Sequence, residues 1–227
     1  MIALVDYGAG NLTSVEKALT ALGAEFAVPD TRDDCAVASG LIVPGVGHFS
    51  ATTALDAPWR DAISRAVRAG TPLLGICVGM QWLFEGSEEA PDVPGLAVLE
   101  GRCRLLRGDA GQRLKIPHVG WNVLQPPRRL QPATAAPAAE TPPETSAPHA
   151  FRGRLLAGLP RAPHVYFTHS FAAPVTADCV ASTTHAESFA AAVERGHVFG
   201  VQFHPEKSGD AGLQILRNYL EICHQRV

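Results

Sequence analysis

Thr71-Pro72-Leu73-Leu74-Gly75-Ile76-Cys77-Val78-Gly79-Met80-Gln81 is the stretch that decides the fold. Leu73 to Ile76 is a short, fully apolar run behind a proline, the pattern of a strand buried on both faces. It passes straight into Cys77, and a helical pattern leaves at once through Leu83-Phe84. Gly75 and Gly79 permit a sharp turn and a close approach of neighbouring backbone. A reactive side chain held on such a strand-to-helix turn is a nucleophile elbow, here with sulfur in place of a serine oxygen. The first turn of the helix adds unpaired N–H groups and a partial positive charge, which favour thiolate over thiol. The competing reading is an inert cysteine buried at a strand end.

The first hundred residues repeat the strand–helix alternation. Ile2 to Asp6 reads as a buried strand ending in the turn Tyr7-Gly8-Ala9-Gly10. Asn11 is placed to cap a helix carrying Leu12, Val15, Leu19 and Leu22, with Gly23 as its stop. Glu25 to Val28 and Leu41-Ile42-Val43 are further strands, the latter ending at Pro44-Gly45-Val46-Gly47, and Trp59 to Ala69 is helical. Continuous apolar strands alternating with helices predict an α/β fold on a mostly parallel sheet covered on both faces. After residue 100 the candidates are short strands near 102–106, 121–124, 164–168, 178–183, 188–194 and 197–203, read as antiparallel additions, then a closing helix from Asp210 to His224. Residues 126–148, rich in Pro, Ala and Thr, read as a mobile surface loop inside one domain spanning 1–227.

Composition narrows the function. The 227 residues are 46% hydrophobic and 18% charged, with a formal net charge of −3, which argues against a protein held to nucleic acid by bulk phosphate attraction. No run approaches 18 apolar residues, so no membrane span is expected, and the start Met1-Ile2-Ala3-Leu4-Val5 has no signal-peptide pattern. Five widely spaced cysteines without a C-x-x-C argue against a disulfide framework or structural zinc site. The expectation is a cytoplasmic protein with no metal and no cofactor.

A thiol nucleophile needs a base, and the base needs an orienting group. Val201-Gln202-Phe203-His204-Pro205-Glu206-Lys207-Ser208 offers both: His204 follows a strand, Pro205 stiffens the backbone, and Glu206 can turn back to the imidazole. Pro44-Gly45-Val46-Gly47, at another strand end, suits a peptide that presents its N–H or flips, as an oxyanion hole requires.

The set Gly75-Ile76-Cys77-Val78-Gly79-Met80-Gln81 with Gln202-Phe203-His204-Pro205-Glu206 resembles the class I (triad) glutamine amidotransferases, which have a flavodoxin-like fold. Tyr7-Gly8-Ala9-Gly10-Asn11, Phe84-Glu85-Gly86-Ser87-Glu88-Glu89, Ile116-Pro117-His118-Val119-Gly120-Trp121-Asn122 and Tyr166-Phe167-Thr168-His169-Ser170 narrow the resemblance to the glutaminase subunits of imidazole glycerol phosphate synthase. The resemblance implies Cys77 as nucleophile on the glutamine carboxamide, His204 as its base and Glu206 as the orienting acid. It implies an oxyanion hole from Val78 and a flipped peptide among Val46 and Gly47. It gives glutamine to Gln81, Glu89 and the backbone of His169, Ser170 and Phe171. Asn11, Trp121, Tyr166 and Lys207 fall at the contact with a (β/α)₈ cyclase subunit, the other half of a heterodimer, which receives the ammonia. From the residues alone, Trp121 and Tyr166 read as ordinary core residues. The rivals are the amidotransferase subunit of another synthase, a stand-alone cysteine hydrolase, and a catalytically silent binding subunit.

Overall fold

The computed structural model describes residues 1–107, 115–127 and 151–225. From residue 128 on, the Pro/Ala-rich segment expected at 126–148 lies outside these described residues. In chain order the elements are β1 (Ile2–Leu4), α1 (Leu12–Ala21), β2 (Phe26–Ala27), α2 (Asp34–Val37), β3 (Gly40–Val43), α3 (Ala57–Arg68), β4 (Leu73–Ile76), α4 (Val78–Leu83), β5 (Gly86–Ser87), β6 (Ala90–Pro94), β7 (Arg102–Leu105), β8 (His118–Val123), β9 (His164–His169), β10 (Phe171–Ala172), β11 (Cys179–His185), β12 (Glu187–Arg195), β13 (Val198–Val201) and α5 (Gly209–His224). Short 3-10 helices at Phe49–Ala54 and Pro205–Lys207 are also present among the described residues.

The central sheet has seven strands in the order β11-β12-β13-β4-β3-β1-β2. β2, β1, β3, β4 and β13 run parallel, and β12 and β11 extend that edge antiparallel. β1, β3, β4 and β13 are buried along their whole length, which is why each is written as an unbroken apolar run. The strand near 197–203 differs from the sequence expectation. It is antiparallel to β12 but parallel to β4, because a tight hairpin through Gly196 (φ +59) reverses the chain once more. The other short strands form separate layers: β10-β7-β5-β6 is a four-stranded sheet, and β8-β9 is a two-stranded ribbon.

Two registers position the site. Val201 lies opposite Ile76, and Val43 lies opposite Gly75. The carboxyl ends of β3, β4 and β13 are therefore level, so the loops after residues 43, 76 and 201 leave at one rim. In open parallel sheets that rim is where ligands bind. The close approach of α4 to β3 depends on Gly79: a Cβ there would sit 1.8 Å from the Val43 carbonyl oxygen.

α3 starts two residues earlier than its apolar periodicity indicates, because Asp56 Oδ1 accepts from the Trp59 N–H at 3.1 Å and Pro58 sits in the first turn. Asn11 does precede α1, but its side chain makes no cap hydrogen bond. The five cysteines are all buried, and none is joined to another in a disulfide. Among the described residues no helix is long and apolar enough to cross a membrane.

Candidate active site

Cys77 sits between β4 and α4 at φ +54, ψ −108, a left-handed conformation rare for a residue with a side chain. Strain of this kind is of order 1–3 kcal/mol and persists where the surroundings over-determine it. Here the Cys77 N–H donates to the Val201 carbonyl at 2.8 Å, and the Cys77 carbonyl accepts from the Gln81 N–H at 3.0 Å. The residue is 2% exposed. Its Sγ receives the Gln202 Nε2 donor at 3.6 Å and lies 4.0 Å from the Thr168 carbonyl oxygen.

His204 leaves β13 three residues after Val201. Its N–H donates to the Tyr166 carbonyl at 2.8 Å, and its own carbonyl accepts from the Ser208 hydroxyl at 2.6 Å. Nδ1 meets Glu206 Oε1 at 2.8 Å, with both side chains 1% exposed. The carboxylate holds the proton on Nδ1 and leaves Nε2 as the basic nitrogen. That Nε2 is buried and has no partner within hydrogen-bond geometry among the described residues, yet the thiol is near enough to act on the ring. Burial pulls the His204 pKa down, but the Cys77 and Glu206 side chains more than offset this and push it up to about 9.

The candidate oxyanion donors are both engaged. The Val78 N–H donates to the Gly45 carbonyl at 3.4 Å, and the Val46 N–H donates to the Ala9 carbonyl at 3.3 Å. One peptide, Gly45–Val46, supplies the carbonyl of the first contact and the N–H of the second. Position 45 accepts only glycine, since a Cβ would lie 2.2 Å from the Tyr7 hydroxyl and 2.9 Å from Val78 Cβ. Gly47 is exposed, at φ +93.

Of the expected substrate residues, Gln81 is buried. Its Nε2 donates to the Phe171 carbonyl at 2.8 Å and to Gln202 Oε1 at 3.1 Å, and its Oε1 has no partner among the described residues. Glu89 is half-buried, with Oε2 accepting from the Phe49 N–H at 2.7 Å. The Ser170 carbonyl accepts from the Leu106 N–H at 2.9 Å. The Phe171 carbonyl accepts from both Gln81 and His169 Nδ1, the latter at 2.9 Å, so both its lone pairs are used inside the protein.

Trp121 is 56% exposed and packs edge-on against Tyr166 at 6.1 Å, which removes the reading of both rings as core. Lys207 is exposed and Asn11 half-buried. Three groups near the site were not singled out by sequence reasoning. Gln202 is wholly buried against the sulfur. Tyr7 has a buried hydroxyl with no partner among the described residues, and burial and the nearby Cys77 push its pKa up. His118 bonds His169. A polar residue inside the apolar stretch from 198 to 203 was the one local signal for Gln202.

The family model described as glutamine amidotransferase class-I matches residues 3–223. The chain is 41% identical over 234 residues to imidazole glycerol phosphate synthase subunit HisH of Natronomonas pharaonis, covering 99% of this chain and 96% of the relative. It is 44% identical over 230 residues to the subunit of the same name from Gloeobacter violaceus, covering 99% and 91%. Among solved structures it superposes on a glutamine amidotransferase with a TM-score of 0.67 at 19% identity, covering 98% of each chain. PurLQS from Thermotoga maritima gives a TM-score of 0.64 at 18% identity, covering 97% of each. At these identities the structural likeness speaks for the fold alone.

Proposed function

This chain belongs to the class-I glutamine amidotransferase family, and on that premise we propose that it is the glutaminase subunit of a cytoplasmic imidazole glycerol phosphate synthase, with Cys77, His204 and Glu206 as its triad. The observation that carries the reading is a buried cysteine on a strained strand-to-helix turn beside an imidazole whose other nitrogen is tied to a buried carboxylate. In the proposed cycle the Sγ proton passes to His204 Nε2 and the thiolate attacks the carboxamide carbon of glutamine. His204 returns the proton to the departing nitrogen, which leaves as ammonia, and a thioester remains. Water, deprotonated by the same imidazole, cleaves the thioester and releases glutamate. Gln81 Oε1, buried without a partner, is available to accept from the substrate, and Glu89 Oε1 to face its ammonium group.

The tetrahedral intermediate needs two N–H donors at its oxyanion. Turning the Gly45–Val46 peptide over takes the Gly45 carbonyl off the Val78 N–H and swings the Val46 N–H away from Ala9, which frees both donors in one motion. The closed arrangement is then a resting state, and losing such a donor costs ~10²–10³ in rate. Ammonia made without an acceptor is wasted, so activation belongs with a (β/α)₈ cyclase partner docked over Trp121, Tyr166, Lys207 and Asn11. A partner shifts the loop only by its differential affinity for the open state, ~2.7–4 kcal/mol for that activation. The test is steady-state glutamine hydrolysis by the chain alone, with the cyclase, and with the cyclase and its ligand. A rise of about 10²-fold or more in the last case is expected. Equal turnover in all three would favour a stand-alone cysteine hydrolase.

A further inference from the structure

Gln202 is wholly buried, and both ends of its amide are committed. Nε2 donates to Cys77 Sγ at 3.6 Å, and Oε1 accepts from Gln81 Nε2 at 3.1 Å. Its backbone N–H is pinned to the Ala191 carbonyl at 2.9 Å, so the side chain starts from a fixed point on the rim of the sheet. The Gln81 contact also decides which way the amide faces. Gln81 Nε2 is a donor, so the oxygen of Gln202 must turn toward it and the NH₂ must turn toward the sulfur.

We propose that Gln202 is a positioning residue for the nucleophile: its amide N–H holds the Cys77 sulfur in place and stabilises the charge that appears there when the thiol proton leaves. The assignment rests on Cys77 being the nucleophile. The proton goes from Sγ to His204 Nε2, and the sulfur then faces two donors, the imidazolium and the Gln202 amide. A hydrogen bond to an ionised acceptor is roughly twice as strong as one to a neutral acceptor. The same contact is therefore worth more to the thiolate than to the thiol, which makes it more than a packing contact. When the thioester forms, the sulfur loses its charge and the bond weakens, so it does not hold back the next step. Among the described residues, the ionisable groups facing the sulfur are His204, with Glu206 behind it, and Tyr7 from the loop after β1, and none of them has a hydrogen bond to the Gln202 amide.

The experiment compares the wild-type full chain with Gln202→Met, which keeps bulk and loses the donor, and Gln202→Glu, which keeps shape and puts an acceptor against the sulfur. The first readout is the pH profile of Cys77 alkylation by iodoacetamide, followed by peptide mass. Glutamine hydrolysis with the cyclase subunit, and cooperative urea unfolding, accompany it. In Gln202→Met the alkylation midpoint is expected to rise by about one pH unit, a ~10-fold loss of thiolate below it, with kcat falling more than KM changes. Gln202→Glu is expected to move it further. Wild-type midpoints in both variants would overturn the assignment. If Gln202→Met does not unfold cooperatively, the profile of Gln202→Glu decides alone. Loss of cooperative unfolding in both would also overturn it, since Gln202 would then belong to the core and not to the sulfur. A Cys77→Ala chain that still hydrolyses glutamine would instead sink the proposed function itself, whatever the Gln202 variants do.

Discussion

Acidification from pH 8 to pH 5 is expected to destabilise the fold through two histidines, His118 and His169, which sit at 3% and 7% exposure in the β8–β9 ribbon. Asn122 Nδ2 donates to His118 Nε2 at 3.3 Å, His118 Nδ1 to His169 Nε2 at 3.1 Å, and His169 Nδ1 to the Phe171 carbonyl at 2.9 Å. Every ring nitrogen is used once, as donor or as acceptor. A second proton on His169 would set an N–H against the N–H of His118, and one on His118 would set an N–H against the Asn122 amide. Burial first, and then the neighbouring rings, including His185 stacked on His118 at 4.1 Å, lower the pKa values to about 4 for His118 and about 3 for His169. Unfolded histidine takes up its proton near 6.5. The contribution of the pair is therefore complete above 6.5 and lost as pH falls through 4 and 3. At pH 5 the unfolded rings are almost wholly protonated and the folded ones are not, which costs about 2 kcal/mol per ring. His204 works the other way. Its raised pKa, about 9, adds stability that is complete below 6.5 and lost as pH rises through 9. That contribution is common to the wild type and the His169→Gln chain and cancels in their comparison. The assay is urea unfolding at steps from pH 8 to 5, with His169→Gln measured in parallel. Glutamine can still accept from His118 and donate to Phe171 but does not titrate. Its stability should fall by about 2 kcal/mol less than wild type over that range. Parallel curves for the two proteins would refute the neutral-pair argument.

Cys77→Ala should remove glutamine hydrolysis, by on the order of 10⁶ for a deleted nucleophile, while a complex with the cyclase still makes product from ammonium salts at high pH. Retention of more than a few per cent of glutamine turnover would show that the thiol is not the nucleophile. Gly79→Ala places a Cβ 1.8 Å from the Val43 carbonyl oxygen, a contact with backbone that no rotamer relieves. It should cost ~3 kcal/mol or more by urea unfolding, and a wild-type midpoint would show that α4 can move off β3 freely.

The parallel strands of the first half and the nucleophile turn are legible in the amino-acid sequence. Strands buried on both faces must be apolar throughout, so β1, β3 and β4 are visible as runs, and the turn into α4 is visible because Gly75 and Gly79 flank Cys77. These signals are local, set by burial and backbone freedom within a few residues. The tertiary structure decided what lies across strands. That β13 runs parallel beside β4 follows from the hairpin at Gly196, and only this register carries Gln202 and His204 to a cysteine more than a hundred positions earlier. The exposure of Trp121 is likewise set by what packs against the ribbon, since an aromatic in a short strand carries the same local signature whether it faces core or solvent. The Gly45 carbonyl lying on the Val78 N–H, and the one-way chain from Asn122 to Phe171, depend on hydrogen-bond direction, which residue identity leaves open until partners are within reach. Composition and periodicity report how a segment is buried. Which donor meets which acceptor is settled when the sheet closes its register and each buried polar group must find a partner.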